Sequence, residues 1–147
     1  MSFGYTRYCV LVKKNLTISA VCLINNQGQI LLVRKRGTSK FMQPGGKPEF
    51  GESPLQTVIR EIHEELGIQF AAEDLDFNGV WVGPAANEDQ TSIHASLFTA
   101  HYDGTLSPLA ELEELLWIMP EDAMKRDDLA PLLREHVLPQ LIKKASS

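Results

Sequence analysis

The order of hydrophobic and polar residues along the chain predicts a series of strands and one well-marked helix. Residues 17–24 are mostly β-branched and apolar, which predicts a strand, and residues 29–34 predict a second strand. The intervening Asn-Asn-Gln-Gly sequence predicts the turn of an antiparallel hairpin. Further strands are expected at residues 77–82, 92–102 and 115–119.

The clearest helix is predicted between Ser53 and Gly67. Ser53 is a typical N-cap residue, Pro54 suits the first helical position, and Gly67 suits the position after the last turn. The apolar residues between them recur at helical spacing and form one stripe: Leu55, Val58, Ile59, Ile62 and Leu66. A second helix is expected over residues 130–144, where Pro139 should kink or divide it. Strands interspersed with two helices predict an α/β (α+β) fold with a mixed sheet flanked by helices.

The composition is typical of a globular protein of one domain, which we expect to span residues 1–147. Of the 147 residues, 44% are hydrophobic and 22% are charged. No apolar run approaches the roughly 20 residues of a membrane span, and no secretory signal peptide is evident. Cys9 and Cys22 are too few for a disulfide scaffold or a four-ligand zinc site. Because both lie among apolar residues, we expect reduced, buried thiols in a cytoplasmic protein.

Glutamates cluster on the predicted helix. Glu61, Glu64 and Glu65 are related as i, i+3 and i+4, so they share one side, along the border of the apolar stripe. Like charges at this spacing repel by roughly 0.2–0.5 kcal/mol per pair, which favours a cation held between them. Carboxylates without histidine or cysteine favour Mg²⁺ or Mn²⁺. Such an ion would let a chain of net charge −5 bind a polyphosphate, whereas the lack of a basic patch argues against long nucleic acid.

The loop before this helix suits a phosphate ligand. The sequence Pro44-Gly45-Gly46 lets the backbone approach a ligand closely, offering a carbonyl to a metal and N–H groups to phosphate. Lys47 adds a positive charge beside the glycines. Arg60 has the planar donor fork that orients a carboxylate or binds a phosphate.

Together these residues resemble the Nudix box, Gly-x5-Glu-x7-Arg-Glu-U-x-Glu-Glu-x-Gly-U, where U is a bulky aliphatic residue. The match runs from Gly46 to Ile68, covers 23 of the 147 residues and fills all nine specified positions. The chain thus resembles the Nudix hydrolase family of MutT-like pyrophosphohydrolases. The resemblance implies an α/β/α sandwich with a loop–helix–loop catalytic unit. It also implies metal-dependent hydrolysis of a nucleoside diphosphate linked to another group.

The same resemblance implies roles for individual residues. Arg60 is expected to orient the carboxylates, and Glu52 to hold the loop and the outer surroundings of the metal. The general base is either a helix glutamate or one from a later segment, for which Glu111 is favoured over Glu113 and Glu114. Metal ligands are expected at Glu61, Glu64, Glu65 and the Gly45 carbonyl. Substrate contacts are expected from Gly45, Gly46 and Lys47, and contacts to a base or ribose from Phe41, Gln43, Trp81 and residues 83–90.

Three interpretations of the function stay open. The first is hydrolysis of a nucleoside triphosphate, oxidised ones included, and the second is hydrolysis of ADP-ribose or a nucleotide sugar. Pro84 lies 16 residues after the box, near but not at the proline spacing associated with ADP-ribose hydrolases. The third is a catalytically silent nucleotide-sensing module, a class that usually lacks the glutamates present here. In each case the expected partner is a small nucleotide and not a membrane, and the protein is expected to be a monomer or homodimer.

Overall fold

The computed structural model describes residues 14–86 and 89–146. Cys9 and two residues of the loop between the third and fourth predicted strands, Asn87 and Glu88, lie outside the described residues. The strands are β1 (Lys14–Ile24), β2 (Ile30–Lys35), β3 (Gly45–Gly46), β4 (Asp76–Pro84), β5 (Thr91–His101) and β6 (Leu112–Ile118). The helices are α1 (Pro54–Leu66), α2 (Pro120–Ala123) and α3 (Leu138–Ala145).

The strands form one mixed sheet with β1 at its centre. The order across the sheet is β4-β5-β1-β2-β6, and β3 pairs with β1. Strand β1 is parallel to β5 and antiparallel to β2 and β3. On the side of β1 away from β5, β2 pairs at Ile24↔Ile30. Earlier along the same side of β1, β3 pairs with it through Ser19↔Gly46 and Ala20↔Gly45. This change of partner brings the two glycines of β3 to the middle of the sheet.

Alternating side chains of β1 divide the core between the two faces of the sheet. Val21 and Leu23 pack in the cluster that contains Val58 and Ile62 of α1. Ala20 and Cys22 belong to the opposite cluster, together with residues from the C-terminal helical region. Helices therefore cover both faces, which confirms the α/β/α sandwich, and Cys22 is buried as expected.

Helix α1 begins and ends where the sequence predicts. The Ser53 hydroxyl accepts a hydrogen bond from the Gln56 N–H (3.2 Å), and the Gln56 side chain accepts one from the Ser53 N–H (2.9 Å). This reciprocal capping box satisfies N–H groups that the first turn leaves free. At the other end Gly67 has φ 73°, a left-handed conformation that glycine adopts without a steric penalty.

The C-terminal helical region changes geometry next to Pro139. A π-helical turn at Leu133–Val137 leads into α3, where Pro139 occupies the first turn. Proline lacks an N–H and its ring crowds the carbonyl four residues earlier, so an uninterrupted α-helix is disfavoured here. Helical residues nevertheless run without a break over 131–145, so Pro139 does not divide the helix, and the π-helical turn just before it is where the regular geometry changes. Among the described residues no helix has the length and apolar character needed to cross a membrane.

Candidate active site

The two glycines of β3 let the loop and α1 come into close contact with β1. A side chain at Gly45 would begin 2.1 Å from the Ser19 carbonyl oxygen, and Gly45 itself has φ 151°. A side chain at Gly46 would begin 2.4–2.7 Å from the carboxyl atoms of Glu61. Glycine at position 46 therefore leaves the space that the Glu61 carboxylate occupies.

Three carboxylates converge beside these glycines. Ligand oxygens of Glu61, Glu65 and Glu111 all lie within 4.8 Å of one another. Two come from adjacent turns of α1, whereas Glu111 arrives from the segment before β6. That segment is fixed to the helix because the Leu109 N–H donates to the Glu65 carbonyl at 3.0 Å. Ala110 then adopts φ 52°, a strained conformation for a residue with a Cβ, and Glu111 follows it.

Glu65 is the most buried member of this carboxylate cluster, with 1% of its surface exposed. One carboxylate oxygen accepts a hydrogen bond from the Gly45 N–H at 3.1 Å, and the other is buried without any partner among the described protein groups. Burial, and secondly the charge of Glu61, raise the pKa of Glu65 to about 8. An unpaired carboxylate oxygen facing two further carboxylates is the arrangement that a divalent cation stabilises.

Nearby basic groups moderate the repulsion within the cluster. Burial raises the pKa of Glu61, and hydrogen bonding to Arg60 opposes that rise. The Lys35 ammonium lies 3.3 Å from a Glu111 oxygen, and its charge lowers the pKa of both Glu61 and Glu65. The oxygen-only donor set and the orphan oxygen of Glu65 fit a divalent metal ion.

Arg60 connects the loop to the helix. Its Nε and Nη2 donate to the two carboxylate oxygens of Glu52 at 2.6 and 2.9 Å, and Nη2 also donates to the Lys47 carbonyl at 3.0 Å. Its Nη1 donates to Glu61 (3.0 Å) and Glu64 (3.3 Å). The bond from Arg60 is the largest cause of the low pKa of Glu52, about 2. One guanidinium thus fixes the loop and orients a cluster carboxylate.

A cavity of about 350 Å³ opens beside the carboxylate cluster. Gly45, Gly46, Lys35 and Lys47 line its rim next to the carboxylates. Its remaining walls are mainly apolar and come from β1, β5, the end of β4 and the start of the C-terminal helical region, through Leu16, Ile18, Ile93, Pro84 and residues 130–132. A charged rim and an apolar interior suit a ligand with an anionic end and an apolar end.

A family model described as the NUDIX domain matches residues 13–141, which is most of the chain. The chain belongs to the Nudix family. A Nudix-fold neighbour, the MutT protein from Methanosarcina mazei Go1, superposes with a TM-score of 0.73 at 20% identity, covering 92% of this chain and 98% of that one. The E. coli dihydroneopterin triphosphate pyrophosphohydrolase superposes with a TM-score of 0.72 at 17% identity, covering 90% and 99%. At these identities the two structures show the shared Nudix fold.

A sequence relative of this Nudix chain matches over a shorter stretch. It is an RNA pyrophosphohydrolase from Pseudoalteromonas translucida, 41% identical over 49 residues, which is 33% of this chain and 28% of the relative. The chain thus covers less than a third of that relative's length.

The structure brings together most of the residues that the sequence singles out in the Nudix box. Glu61 and Glu65 lie in the carboxylate cluster with the distal candidate Glu111. Glu64 is not in that cluster; its side chain is 49% exposed and contacts Arg60. Glu113 and Glu114 pair with Arg36 and Arg34 on the surface.

The residues expected to contact the substrate divide into two groups. Gln43, Gly45, Gly46, Lys47 and Pro84 line the cavity. Phe41 is buried in the core, where the Arg126 guanidinium lies 5.0 Å from the centre of its ring, and it is not among the lining residues. Trp81 packs its indole over Gly83 and against the core, also outside the lining. The structure therefore gives these two aromatic residues a packing role.

Sequence reasoning did not identify Lys35 as part of the site. It ends β2, and only the approach of the Glu111 segment to that strand brings it beside the carboxylates. The apolar cavity walls were not predicted either, since Leu16, Ile18 and Ile93 have the pattern of ordinary strand residues. A basic residue at a strand end before a glycine-rich loop is the signal that would have indicated Lys35.

Proposed function

We propose that the chain is a metal-dependent pyrophosphohydrolase that cleaves a diphosphate bond of a small nucleotide, with a nucleoside triphosphate as the favoured substrate. The observation that carries the proposal is the carboxylate cluster of Glu61, Glu65 and Glu111, with its orphan buried oxygen, beside a cavity of about 350 Å³. Repulsion among these carboxylates, which Arg60 and Lys35 offset only in part, favours a bound cation there.

Glu61 and Glu65 are the ligands proposed to hold Mg²⁺ or Mn²⁺, with the Gly45 carbonyl and Glu64 as further candidates. The bound ion would neutralise phosphate charge, polarise a phosphoryl oxygen and lower the pKa of a water. Arg60 holds the Glu61 carboxylate in place through the 3.0 Å bond from its Nη1. Glu52 keeps Arg60 in that orientation by accepting two hydrogen bonds from it.

Lys35 and Lys47 are proposed to bind the phosphate chain, because both line the rim of the cavity beside the carboxylates. Glu111 is the candidate that accepts the proton of the attacking water. It is the most exposed of the three cluster carboxylates, with 58% of its side chain accessible, so solvent reaches it. Because it lies across from α1, its carboxylate would be placed to accept a proton from a water between the two elements.

ADP-ribose is the second candidate substrate. Pro84 supports it, because the proline whose spacing hinted at this class does line the cavity. The RNA pyrophosphohydrolase relative makes a 5′-triphosphorylated RNA worth testing, although the net charge of −5 and the short match argue for a small nucleotide.

The test is product analysis with a substrate panel and Mg²⁺. Purified protein is incubated with nucleoside triphosphates, oxidised dGTP, ADP-ribose, a dinucleoside polyphosphate and a 5′-triphosphorylated RNA. A nucleoside monophosphate with pyrophosphate from a triphosphate supports the favoured substrate, and AMP with ribose phosphate supports the second. Binding without turnover on every compound would identify a sensing module and overturn the enzymatic proposal.

The variant Glu65→Gln tests whether Glu65 is a metal ligand. The isosteric amide keeps an oxygen that can accept the Gly45 N–H, so the fold should be retained while the charge is lost. We expect kcat to fall at least about a hundredfold. Wild-type turnover in this variant would contradict the assignment of Glu65 as a ligand.

A further inference from the structure

Gln43 lies in the wall between two cavities. The first is the cavity of about 350 Å³ beside the carboxylate cluster. The second, of about 200 Å³, lies under the C-terminal helical region and is lined by Cys22, Leu97 and Gln140 among others. Gln43 is common to both linings.

The backbone holds Gln43 rigidly in this position. On one side of it, Met42 and Val33 exchange backbone hydrogen bonds of 2.8 Å in both directions. On the other side, the Val21 N–H donates to the Pro44 carbonyl at 3.0 Å. Because both neighbours are fixed to β-strands, the backbone of Gln43 is held in one position between them.

The carboxamide is buried without a partner for its oxygen. Gln43 is 6% exposed, and its Oε1 accepts no hydrogen bond from any described protein group. A leucine or methionine would fill similar space without burying an unpaired polar atom, so an amide here is costly unless a ligand pairs with it. Gln43 lines the first cavity together with Gly45, Gly46 and Lys47 of its rim, so a ligand bound in that cavity would contact Gln43.

We propose that Gln43 determines base specificity by pairing with the edge of an adenine base in the first cavity, an inference that rests on the proposed function. The amide oxygen accepts a hydrogen bond from the exocyclic amino group, and the amide N–H₂ donates to the neighbouring ring nitrogen. Glutamine and adenine have complementary donor and acceptor pairs for such a two-bond contact. Phosphate offers only acceptors, so it cannot satisfy the orphan oxygen.

The experiment compares ATP with purine riboside triphosphate, which lacks the exocyclic amino group. We expect the wild type to favour ATP about tenfold in kcat/KM, with the difference mainly in KM. Gln43→Leu should lower kcat/KM for ATP by the same factor and leave the value for purine riboside triphosphate within about twofold. The effects on kcat/KM of removing the amino group from the substrate and of removing the amide from Gln43 would then be non-additive, as expected for two partners in one contact.

Two controls make the outcome decisive. Gln140→Leu removes an amide that lines the second cavity but not the first, and should leave the preference unchanged. Gln43→Met is a second variant if Gln43→Leu does not fold. An unchanged ATP preference in the folded Gln43 variants, or no preference in the wild type, would overturn the proposal. If the wild type hydrolyses no nucleotide, the proposed function fails. The role of Gln43 is then tested by calorimetry with Mg²⁺, which compares the Kd of ATP with that of purine riboside triphosphate in the wild type and the Gln43 variants.

Discussion

Replacing Gly46 with alanine tests whether the position of the Glu61 carboxylate matters for turnover. The added Cβ would lie 2.4 Å from the carboxyl carbon and 2.6 and 2.7 Å from its two oxygens. Ordinary contact begins at 3.4 Å, so the carboxylate has to retreat by about 1 Å. The group that moves is the end of a flexible side chain, so the backbone of α1 and β3 should stay in place.

The expected loss follows from that displacement. A reacting group or ligand misplaced by about 1 Å costs on the order of a hundredfold in rate, or about 2.7 kcal/mol of transition-state stabilisation. Gly45→Ala is expected to act differently, because its Cβ would lie 2.1 Å from a backbone oxygen of Ser19. That clash cannot be relieved by rotating a side chain, and should lower the free energy of unfolding by about 3 kcal/mol or more.

The assay combines kcat at saturating Mg²⁺ with thermal denaturation. Gly46→Ala should lose activity while its Tm stays within about 3 °C of the wild type, and Gly45→Ala should lose both. Gly28→Ala is the control: it lies at the hairpin turn with φ 79° and no atom closer than 3.8 Å, so it should reduce stability by about 1 kcal/mol and leave kcat unchanged. Wild-type kcat in a folded Gly46→Ala variant would refute the role given to the Glu61 carboxylate.

Other consequences of the site are equally open to measurement. Burial raises the pKa of Glu65 from 4.5 to about 8, so the stability that protonation provides is complete below pH 4.5 and is lost as the pH rises to about 8. In EDTA, differential scanning fluorimetry should show the wild-type Tm falling across that range, whereas Glu65→Gln should show a smaller fall; equal slopes would contradict the shift. Arg60→Lys loses the forked contact with Glu52 and should lower kcat about tenfold or more, with a Tm decrease of about 3–8 °C; full activity would remove its orienting role. Glu111→Gln should reduce kcat at least about tenfold, whereas the neighbouring Glu113→Gln should not, and equal effects of the pair would argue against a specific function for Glu111.

The parts predictable from sequence are those fixed by local chemistry. Helix α1 carries a capping serine, a proline at its start and a terminal glycine, and each acts within a few residues of its own position. The spacing of Glu61 and Glu65 likewise puts both on one side of a helix whatever the rest of the fold does. The main strands follow from apolar runs for the same reason.

The parts that escape prediction depend on long-range packing. Helical geometry places Glu64 with its neighbours, yet the depth of burial separates them: Glu65 faces the sheet and Glu64 faces solvent. Glu111 reaches the cluster only because the Leu109 N–H bonds to the end of α1 and Ala110 accepts a positive φ. Alanine gives no sequence signal of that conformation, since residues with a Cβ rarely adopt it.

The exchange of partners along β1 has a consequence for how such a protein diversifies. Because β3 contributes no side chains, the carboxylates beside α1 on one face of the sheet and the cavity walls on the other approach each other across bare backbone, with Lys35 contacting both. Substitutions in Leu16, Ile18 or Ile93 should therefore reshape the cavity proposed to bind the nucleotide without disturbing the acidic residues of α1. In a fold of this kind, substitutions on one face of the sheet can change substrate selectivity while the residues on the other face stay the same.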